Sequence, residues 1–182
     1  MIISIFQDQN GGIPLTSQAV SVLVRNNHTV LIEGNPVNRL AKEYLTVGGY
    51  VINTREELLD RGGLLIKKSS PLGADIDYLN GEDKIFFTKL DMKDKKMIDK
   101  ILAHRISLIT YMELPAFRTY AVKVASKFEF SNYVLPFLLE LAGMGLKALV
   151  DDEELREALL MMHGKVYNNA LSKQYDFPCY EF

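Results

Sequence analysis

The sequence predicts an α/β protein in which a parallel, flavodoxin-like sheet lies between two layers of helices. Three observations lead to this three-layer α/β/α class. Short apolar runs typical of strands alternate with helical stretches over roughly the first 110 residues. These runs are apolar throughout, which is typical of strands that are buried on both faces. The stretches between them are long enough for the crossover helices that parallel pairing requires.

Six strands are predicted in this first part of the chain. Each is a short run of mostly apolar residues, and most of the runs are bounded by turn-forming or charged residues. They span residues 2–6, 29–33, 50–52, 64–67, 84–88 and 106–111.

Capping signals mark the helices between the strands. Thr16 is a suitable N-cap for a helix that ends near Asn26, and Thr54 with Glu57 three residues later fits a capping box. Further helical stretches are predicted over residues 40–47, 75–79 and 93–103.

The character of the sequence changes after Pro115. Residues 116–149 are predicted to be nearly all helical, and Pro136 is expected in the first turn of a helix, where its missing N–H costs nothing. An acidic run at 151–154 favours a further helix that is predicted through Leu160. We expect these helices to pack back on the first block. Blocks 1–114 and 115–182 then complete a single domain over residues 1–182.

Composition excludes several classes of function. Lys and Arg total 21 and Asp and Glu total 23, a net charge of −2 that is too balanced for an electrostatic nucleic-acid binder. The single Cys179 cannot form an internal disulfide or a cysteine-based metal cage. The three histidines lie in separate elements, and no metal site is expected. We expect no membrane span, no signal peptide and a cytoplasmic setting.

Polar residues follow the fourth and fifth predicted strands where ligand sites of open parallel sheets lie. Lys68 and Ser69 come directly after one strand, and a basic residue there could hold a carboxylate; a solvated loop is the alternative. Lys89 and Asp91 follow the next strand and point to the same side if the chain is extended. They either share a cleft or simply pair with each other. Gly11 and Gly12 do not form a dinucleotide fingerprint and read as a tight turn.

Six segments spread over nearly the whole chain carry a resemblance to one family. In order they are IPLTSQAVSVLVRNNHTVLIE, EYLTVGGYVINTREELLDRGGLLIKKSSPL, KIFFTKLDM, ISLITYMEL, SNYVLPFLLELAGMGLKAL and HGKVYNNALSKQYDFP. In order and spacing they resemble the N-terminal domain of alanine dehydrogenase and of the NAD(P) transhydrogenase alpha subunit. The resemblance covers two blocks, about residues 2–114 and 131–178.

The resemblance implies that a domain has been lost. In this family a Rossmann NAD-binding domain, roughly 100 residues or more, is inserted between the two blocks. Only 16 residues separate Leu114 from Ser131 here. We therefore expect no NAD, no other cofactor and no dehydrogenase activity from this chain on its own.

The resemblance also implies that the substrate-binding residues have changed. The family's substrate-binding Arg falls on Gly12, and the Lys that binds the substrate carboxylate falls on Ser69. Lys68 is adjacent to that position, but a shift of one residue in a strand reverses the direction of a side chain. Gly12, Lys68 and Ser69 are the candidate substrate-binding residues.

The positions that the resemblance makes catalytic differ as well. The family's acid/base His falls on Asp91 and the preceding Tyr on Lys89, so these two residues are the candidate catalytic groups. An Asp holds no proton at neutral pH unless burial raises its pKa. Tyr111 matches a Tyr of the family and is included as a candidate contact to substrate, although a structural role is expected.

Two functions follow from this pattern. The first is a truncated, non-redox pseudoenzyme that binds a small amino or 2-oxo acid or serves in assembly. On this hypothesis, loss of the partner domain leaves apolar surface around residues 116–149 and predicts a homodimer or hetero-complex there. The alternative is a repurposed, NAD-independent enzyme that acts on an amino or 2-oxo acid in a biosynthetic pathway. A third arrangement, with the NAD domain supplied by a separate chain, is disfavoured by the changed residues.

Overall fold

A single sheet carries all the strands of the described chain. The computed structural model describes residues 1–8, 10–79, 83–119 and 126–182. Each of the six predicted strands is confirmed, to within one residue at either end. The strands are β1 (Ile2–Ile5), β2 (Thr29–Glu33), β3 (Tyr50–Ile52), β4 (Leu64–Ile66), β5 (Ile85–Thr88), β6 (Ser107–Thr110), β7 (Leu159–Met162) and β8 (Lys165–Val166).

The order of strands across the sheet is β3-β2-β1-β4-β5-β6-β7-β8. Pairing is parallel from β3 to β6, so the predicted α/β class with a largely parallel sheet is confirmed. The order differs from the flavodoxin-like one, because β3 pairs outside β2 instead of crossing to the other half. The chain then returns past β1 to begin β4. This reversal creates a topological switch point between β1 and β4.

The last two strands form an antiparallel hairpin at one edge of the sheet. Leu108 of β6 pairs with Met161 of β7, and Met162 pairs with Lys165 across the hairpin. The helix predicted through Leu160 is therefore wrong beyond Glu157, where helix α9 ends. The physical reason is a short apolar run, buried except for Met162, that is followed by His163-Gly164. The φ values of 52° and 78° at these two residues suit a two-residue hairpin turn.

Helices cover both faces of the sheet. The helices are α1 (Ser17–Arg25), α2 (Arg39–Leu45), α3 (Arg55–Arg61), α4 (Gly73–Tyr78), α5 (Lys95–Ala103), α6 (Pro115–Thr119), α7 (Lys127–Met144), α8 (Ala148–Asp151), α9 (Glu153–Glu157) and α10 (Asn169–Tyr175). Apolar residues of α1, α2, α7, α8 and α9 share one core cluster with the sheet. Those of α3, α4, α5 and α10 share the other. The three-layer arrangement is thus confirmed.

Alternation along the strands explains the two cores. Leu64 and Ile66 of β4 lie in the cluster beneath α1 and α7, whereas Leu65 between them lies in the cluster beneath α3 and α5. Successive side chains of a strand point to opposite faces. The predicted apolar character of the strands is thus explained by burial on both sides.

Two predicted caps have different outcomes. Thr16 caps α1 as predicted, with its Oγ1 accepting a hydrogen bond from the Ala19 amide at 3.2 Å. The capping box predicted at Thr54 is wrong in detail, although α3 does begin at Arg55. The Thr54 hydroxyl donates to the Glu57 carboxylate at 3.3 Å, so neither side chain serves the backbone amides.

Pro136 lies in the interior of α7, which corrects its predicted place in a first turn. The helix begins one residue after Ser126, which forms a capping box with Glu129. Phe130 and Val134 are fully buried in the turns before Pro136 and hold that part of the helix against the core. Burial therefore overrides the local preference of proline for a helix start.

The stretch Lys127–Asp151 is, by length and composition, apolar enough to cross a membrane. A third of its most apolar part is buried, and Leu138 and Leu141 sit fully buried in the core cluster with α1. Helices of a soluble core pass the same test, so this stretch is weak evidence for a span.

Candidate functional site

The carboxyl ends of the parallel strands bring several loops to one edge of the sheet. Loops after β1, β4 and β5 lie side by side there, since these strands are neighbours in the order β1-β4-β5. The switch point between β1 and β4 opens at this edge, and ligands of doubly wound folds bind at that place. The candidate site is therefore built from residues that follow these three strands.

An open depression of about 500 Å³ lies beside the loops after β4 and β5. Three predicted site residues, Ser69, Lys89 and Asp91, line it together with Ser70 and Leu90. Leu90 is 7% exposed and belongs to the core beneath α3 and α5, so the depression has one firmly packed wall. The depression thus brings together three of the polar residues that follow β4 and β5.

Lys89 and Asp91 share the depression without forming an ion pair. The Lys89 side chain is exposed and makes no hydrogen bond or ion pair within the described part of the chain. The Asp91 Oδ1 atom accepts a hydrogen bond from the Lys93 amide at 3.0 Å, which fixes the turn that leads into α5. One carboxylate oxygen therefore holds the loop, and the Lys89 ammonium faces solvent.

Ser69 is held through its backbone. Its amide donates to Asp8 Oδ1 at 3.1 Å, and its carbonyl accepts from Thr88 Oγ1 at 2.8 Å. The Ser69 hydroxyl is buried and has no hydrogen-bond partner among the residues that the structure describes. A buried hydroxyl without a partner costs free energy, so a polar ligand atom or water reaching it would be favoured.

Lys68 lies on the opposite side of the strand end from Ser69. Its Nζ atom is 5.3 Å from the centre of the Phe130 ring, a cation–π contact with α7. It is not among the residues that line the depression. The one-residue offset therefore sends Lys68 towards α7 and away from Lys89.

Tyr111 is packed into an aromatic cluster. Its ring lies 5.0 Å from Phe130 and 5.1 Å from Phe117, and the residue is only 5% exposed. The phenol donates to the Lys68 carbonyl. Burial raises the pKa of Tyr111 well above its ordinary value, and the nearby Asp8 charge adds to this shift. The phenol thus stays protonated and ties β6 to the loop after β4.

Gly12 belongs to a turn that closes on itself. The Asp8 amide donates to the Gly12 carbonyl at 2.9 Å, and the Gly11 amide donates to the Asp8 carbonyl at 2.8 Å. The Gly12 amide donates to Asn10 Oδ1 at 3.1 Å. Because the amides of Gly11 and Gly12 are used inside the turn, this loop does not fit the pyrophosphate of NAD. The geometry favours the tight-turn reading.

Asp8 is a site residue that sequence reasoning missed. Its carboxylate joins the loop after β1 to Ser69 after β4, directly across the switch point. The rule that pointed to Ser69 and Asp91, a polar residue just beyond a strand end, applies equally to Asp8. Asp8 can be assigned to the site only when it is known that β1 and β4 are neighbours in the sheet.

A group of four charged residues, two of them buried, was also missed. Arg55 at the start of α3 donates to both oxygens of Glu33 at 2.7 and 2.8 Å and forms a two-pronged bond with Asp75 at 2.6 and 2.9 Å. Lys67 lies 3.5 Å from Asp75, and both side chains are at most 3% exposed. We call these four residues the ionic cluster. Its two cations balance its two anions.

The protonation of the ionic cluster follows from these contacts. Burial opposes charge on Arg55, but hydrogen bonds to Asp75 and Glu33 outweigh it and raise the pKa of Arg55. Burial likewise opposes charge on Asp75, and Arg55 with the Leu72 amide outweighs it and lowers the pKa of Asp75. Burial lowers the pKa of Lys67, with Asp75 offsetting part of the effect. The cluster ties β2, β4, α3 and α4 together beside the site.

The strand order and the crossover helices define a doubly wound α/β fold. The chain superimposes on a solved L-alanine dehydrogenase with a TM-score of 0.81 and 12% identity, covering 97% of this chain and 99% of that one. It also matches the transhydrogenase from Sinorhizobium meliloti with a TM-score of 0.53 and 13% identity, covering 63% of this chain and 36% of that one.

These likenesses confirm the predicted resemblance at the level of the fold. The sequence itself matches no protein-family model and no curated protein. Across the described ranges, no group of three or more His, Cys, Asp or Glu side chains is placed to hold a metal ion.

Proposed function

We propose that this chain is a non-redox domain of the alanine dehydrogenase fold that binds a small amino or 2-oxo acid at the carboxyl edge of its sheet. The single observation that carries the proposal is the depression that Ser69, Lys89 and Asp91 line together. Its charges suit such a ligand. The Lys89 ammonium is placed to meet a carboxylate, and the Asp91 carboxylate to meet an amino group.

The shape of the site supports a small and loosely held ligand. An open depression of about 500 Å³ leaves one side of a bound molecule in water. Lys89 and Asp91 are exposed, so their charges are screened more than they would be in an enclosed cleft. We therefore expect weak binding, with a dissociation constant on the order of 1 mM or somewhat below.

The proposal excludes hydride transfer for a chemical reason. In the family that this chain resembles, the reaction uses an Arg, a Lys and a His, and these positions hold Gly12, Ser69 and Asp91 here. Gly12 and Ser69 cannot supply the two cations, and Asp91 puts a carboxylate where that family has the imidazole of a general acid and base. The amides of the loop after β1 are used within its own turn and do not fit a dinucleotide.

Calorimetric titration of the purified chain with alanine and with pyruvate tests the binding function. Lys89→Met is expected to weaken both ligands about tenfold, because a charged contact to the carboxylate is lost. Asp91→Asn is expected to weaken alanine and to leave pyruvate unchanged or tighter. Lys96→Met, on the exposed face of α5, is the matched control. Equal affinities for wild type and Lys89→Met would refute the proposed site.

The alternative, an NAD-independent enzyme at the same site, is favoured by one detail. Only one oxygen of Asp91 is used by the turn, so the other remains placed to take a proton from a ligand in the depression. Exchange of the methyl protons of pyruvate in deuterated water, followed by NMR, is the direct assay. Catalysed exchange that disappears in Asp91→Asn would support enzymatic activity that depends on Asp91. No exchange above the uncatalysed background would refute this alternative.

We also propose that copies of this chain associate through the region 116–149. The proposed setting of this association is the cytoplasm. Phe128, Tyr133 and Met144 on α7 are 66%, 42% and 44% exposed. Apolar side chains grouped on a surface commonly mark an interface. Residues 120–125 of this region lie outside the described part of the chain.

A further inference from the structure

We propose that Asp8 is an internal ligand: its carboxylate holds the Ser69 amide where the carboxylate of a bound acid would otherwise sit. It must move aside before an acid can reach the switch point. The inference rests on the proposed function, since it concerns acids that bind at this edge. It adds an autoinhibitory contact that sets which ligands the site accepts.

The position of the contact is the first support. Asp8 Oδ1 accepts a hydrogen bond from the Ser69 amide at 3.1 Å and so bridges the loops after β1 and β4. These two strands flank the switch point, the crevice in which doubly wound folds bind their ligands. A carboxylate on a backbone amide is the contact that an acidic ligand would make there.

The loop after β1 does not depend on this contact for its shape. The Asp8 amide and carbonyl are both bonded within the turn, to the Gly12 carbonyl and the Gly11 amide. Gly11 has a φ of 76°, a conformation that glycine adopts without strain. Because the turn closes on its own backbone, the Asp8 side chain is left to act at Ser69.

The surroundings of Asp8 are those of an anion position. The Ser69 hydroxyl is buried beside this contact and has no hydrogen-bond partner among the described residues. The Tyr111 phenol is close enough that the Asp8 charge contributes to its raised pKa. An incoming carboxylate would share this space with the Asp8 charge and be repelled.

The Asp8 carboxylate limits the number of contacts that a bound acid can make. Ser69 lines the depression, but its backbone amide already donates a hydrogen bond to Asp8. An acid in the depression can meet Lys89 but cannot also take the Ser69 amide while Asp8 is in place. Removal of the Asp8 charge should therefore add a second contact for the acid.

Titration of wild type, Asp8→Asn and Asp8→Ala with pyruvate, followed by the Ser69 amide resonance in NMR, tests the inference. Asp8→Ala is expected to bind pyruvate about tenfold more tightly, with a large shift of that resonance, since charged hydrogen bonds are roughly twice as strong as neutral ones. Asp8→Asn keeps an acceptor for the amide and loses the repulsion, so an intermediate gain is expected. If Asp8→Ala does not fold, Asp8→Asn alone tests the inference.

Two controls make the result specific. Asp99→Ala removes the same charge from the exposed surface of α5 and should leave pyruvate affinity unchanged. Acetamide, whose neutral oxygen is a weaker acceptor and is not repelled by Asp8, should gain much less affinity than pyruvate in Asp8→Ala. Unchanged or weaker pyruvate binding by folded Asp8→Ala and Asp8→Asn would overturn the inference.

The same titrations separate this inference from the proposed function. Binding that Lys89→Met abolishes and Asp8→Ala leaves unchanged supports the depression and overturns the internal ligand. If Asp8→Ala gains pyruvate affinity at the Ser69 amide while Lys89→Met binds pyruvate as the wild type does, the internal ligand is supported and the depression is overturned as the binding site. No binding by any variant overturns both.

Discussion

The Arg55 side chain joins α3 to two other elements, β2 and α4. Its guanidinium bonds to Glu33 and Asp75 and lies 4.8 Å above the Phe6 ring. Two of the partners in the ionic cluster, Asp75 and Lys67, are 1% and 3% exposed. Charges so far from water tolerate burial only while they are paired. The cluster is therefore stable as a unit and fragile when one member is lost.

Arg55→Met is expected to reduce the free energy of unfolding by about 3–5 kcal/mol, because it leaves the buried carboxylate of Asp75 with only Lys67 as a cationic partner. Urea denaturation followed by circular dichroism measures the change. Arg61→Met, which removes an exposed pair with Glu57 within α3, should cost about 0.5 kcal/mol or less. Similar losses in the two variants would contradict the role given to the ionic cluster.

Asp75 makes the stability of the chain depend on pH. Arg55 and the Leu72 amide hold its pKa below the ordinary value of 3.8. A depressed carboxyl contributes stability that is fully present above the unfolded pKa and is lost as the pH falls through the folded one. Denaturation at several pH values between about 5 and 2 should show a steeper loss in wild type than in Asp75→Asn. Parallel curves would show that Asp75 does not contribute.

Helix α7 shows how packing overrides a local signal. Pro136 lies on its exposed side, in the interior of an 18-residue helix. Proline there removes one backbone hydrogen bond and crowds the preceding turn. The helix persists because the capping box at Ser126 and the buried Phe130, Val134 and Leu138 fix it on both sides of the proline.

Pro136→Ala is expected to raise the free energy of unfolding by about 1–2 kcal/mol. The helix recovers about 3 kcal/mol of propensity, and the more flexible unfolded chain offsets about 1 kcal/mol of it. A thermal melt measures the gain. Pro115→Ala is the matched control, since Pro115 opens α6, where proline is favoured, and no gain is expected. An unchanged melt for Pro136→Ala would mean that α7 is already shaped around the proline.

The elements that could be predicted and those that could not differ in their dependence on distant contacts. β1 to β6 were predictable because each is an apolar run with clear boundaries. β7 was not, since a run such as Leu159–Met162 has no periodicity that separates a buried strand from a helix. The His163-Gly164 turn is the one local signal that identifies it.

The site divides in the same way. Ser69, Lys89 and Asp91 were predictable because each follows a strand end that is visible in the sequence. Asp8 gains its place only through the pairing of β1 with β4, and Arg55 only through partners about 20 residues away on either side. Contacts of this kind depend on topology, which the sequence pattern did not fully determine.

At the scale of the whole molecule, α7 leaves apolar surface that one copy does not cover. We expect the wild type to form dimers at micromolar concentration, because Phe128 and Tyr133 are large and exposed. Sedimentation equilibrium measures the association. The double variant Phe128→Ser and Tyr133→Ser should be monomeric, and Tyr78→Ser, an exposed aromatic residue on α4, should not change the dimer. A wild type that stays monomeric at high concentration would refute self-association.

The antiparallel pairing of β6 with β7 has a consequence for biosynthesis. β6 leaves the ribosome long before β7. The edge of β6 that later pairs with β7 therefore stays unpaired while some fifty further residues are synthesised. An unpaired, apolar edge strand invites pairing with other chains. Contacts between strands so distant in sequence also form late in folding. The period between synthesis of Thr110 and synthesis of Leu159 is therefore the time at which a nascent chain most needs protection by chaperones.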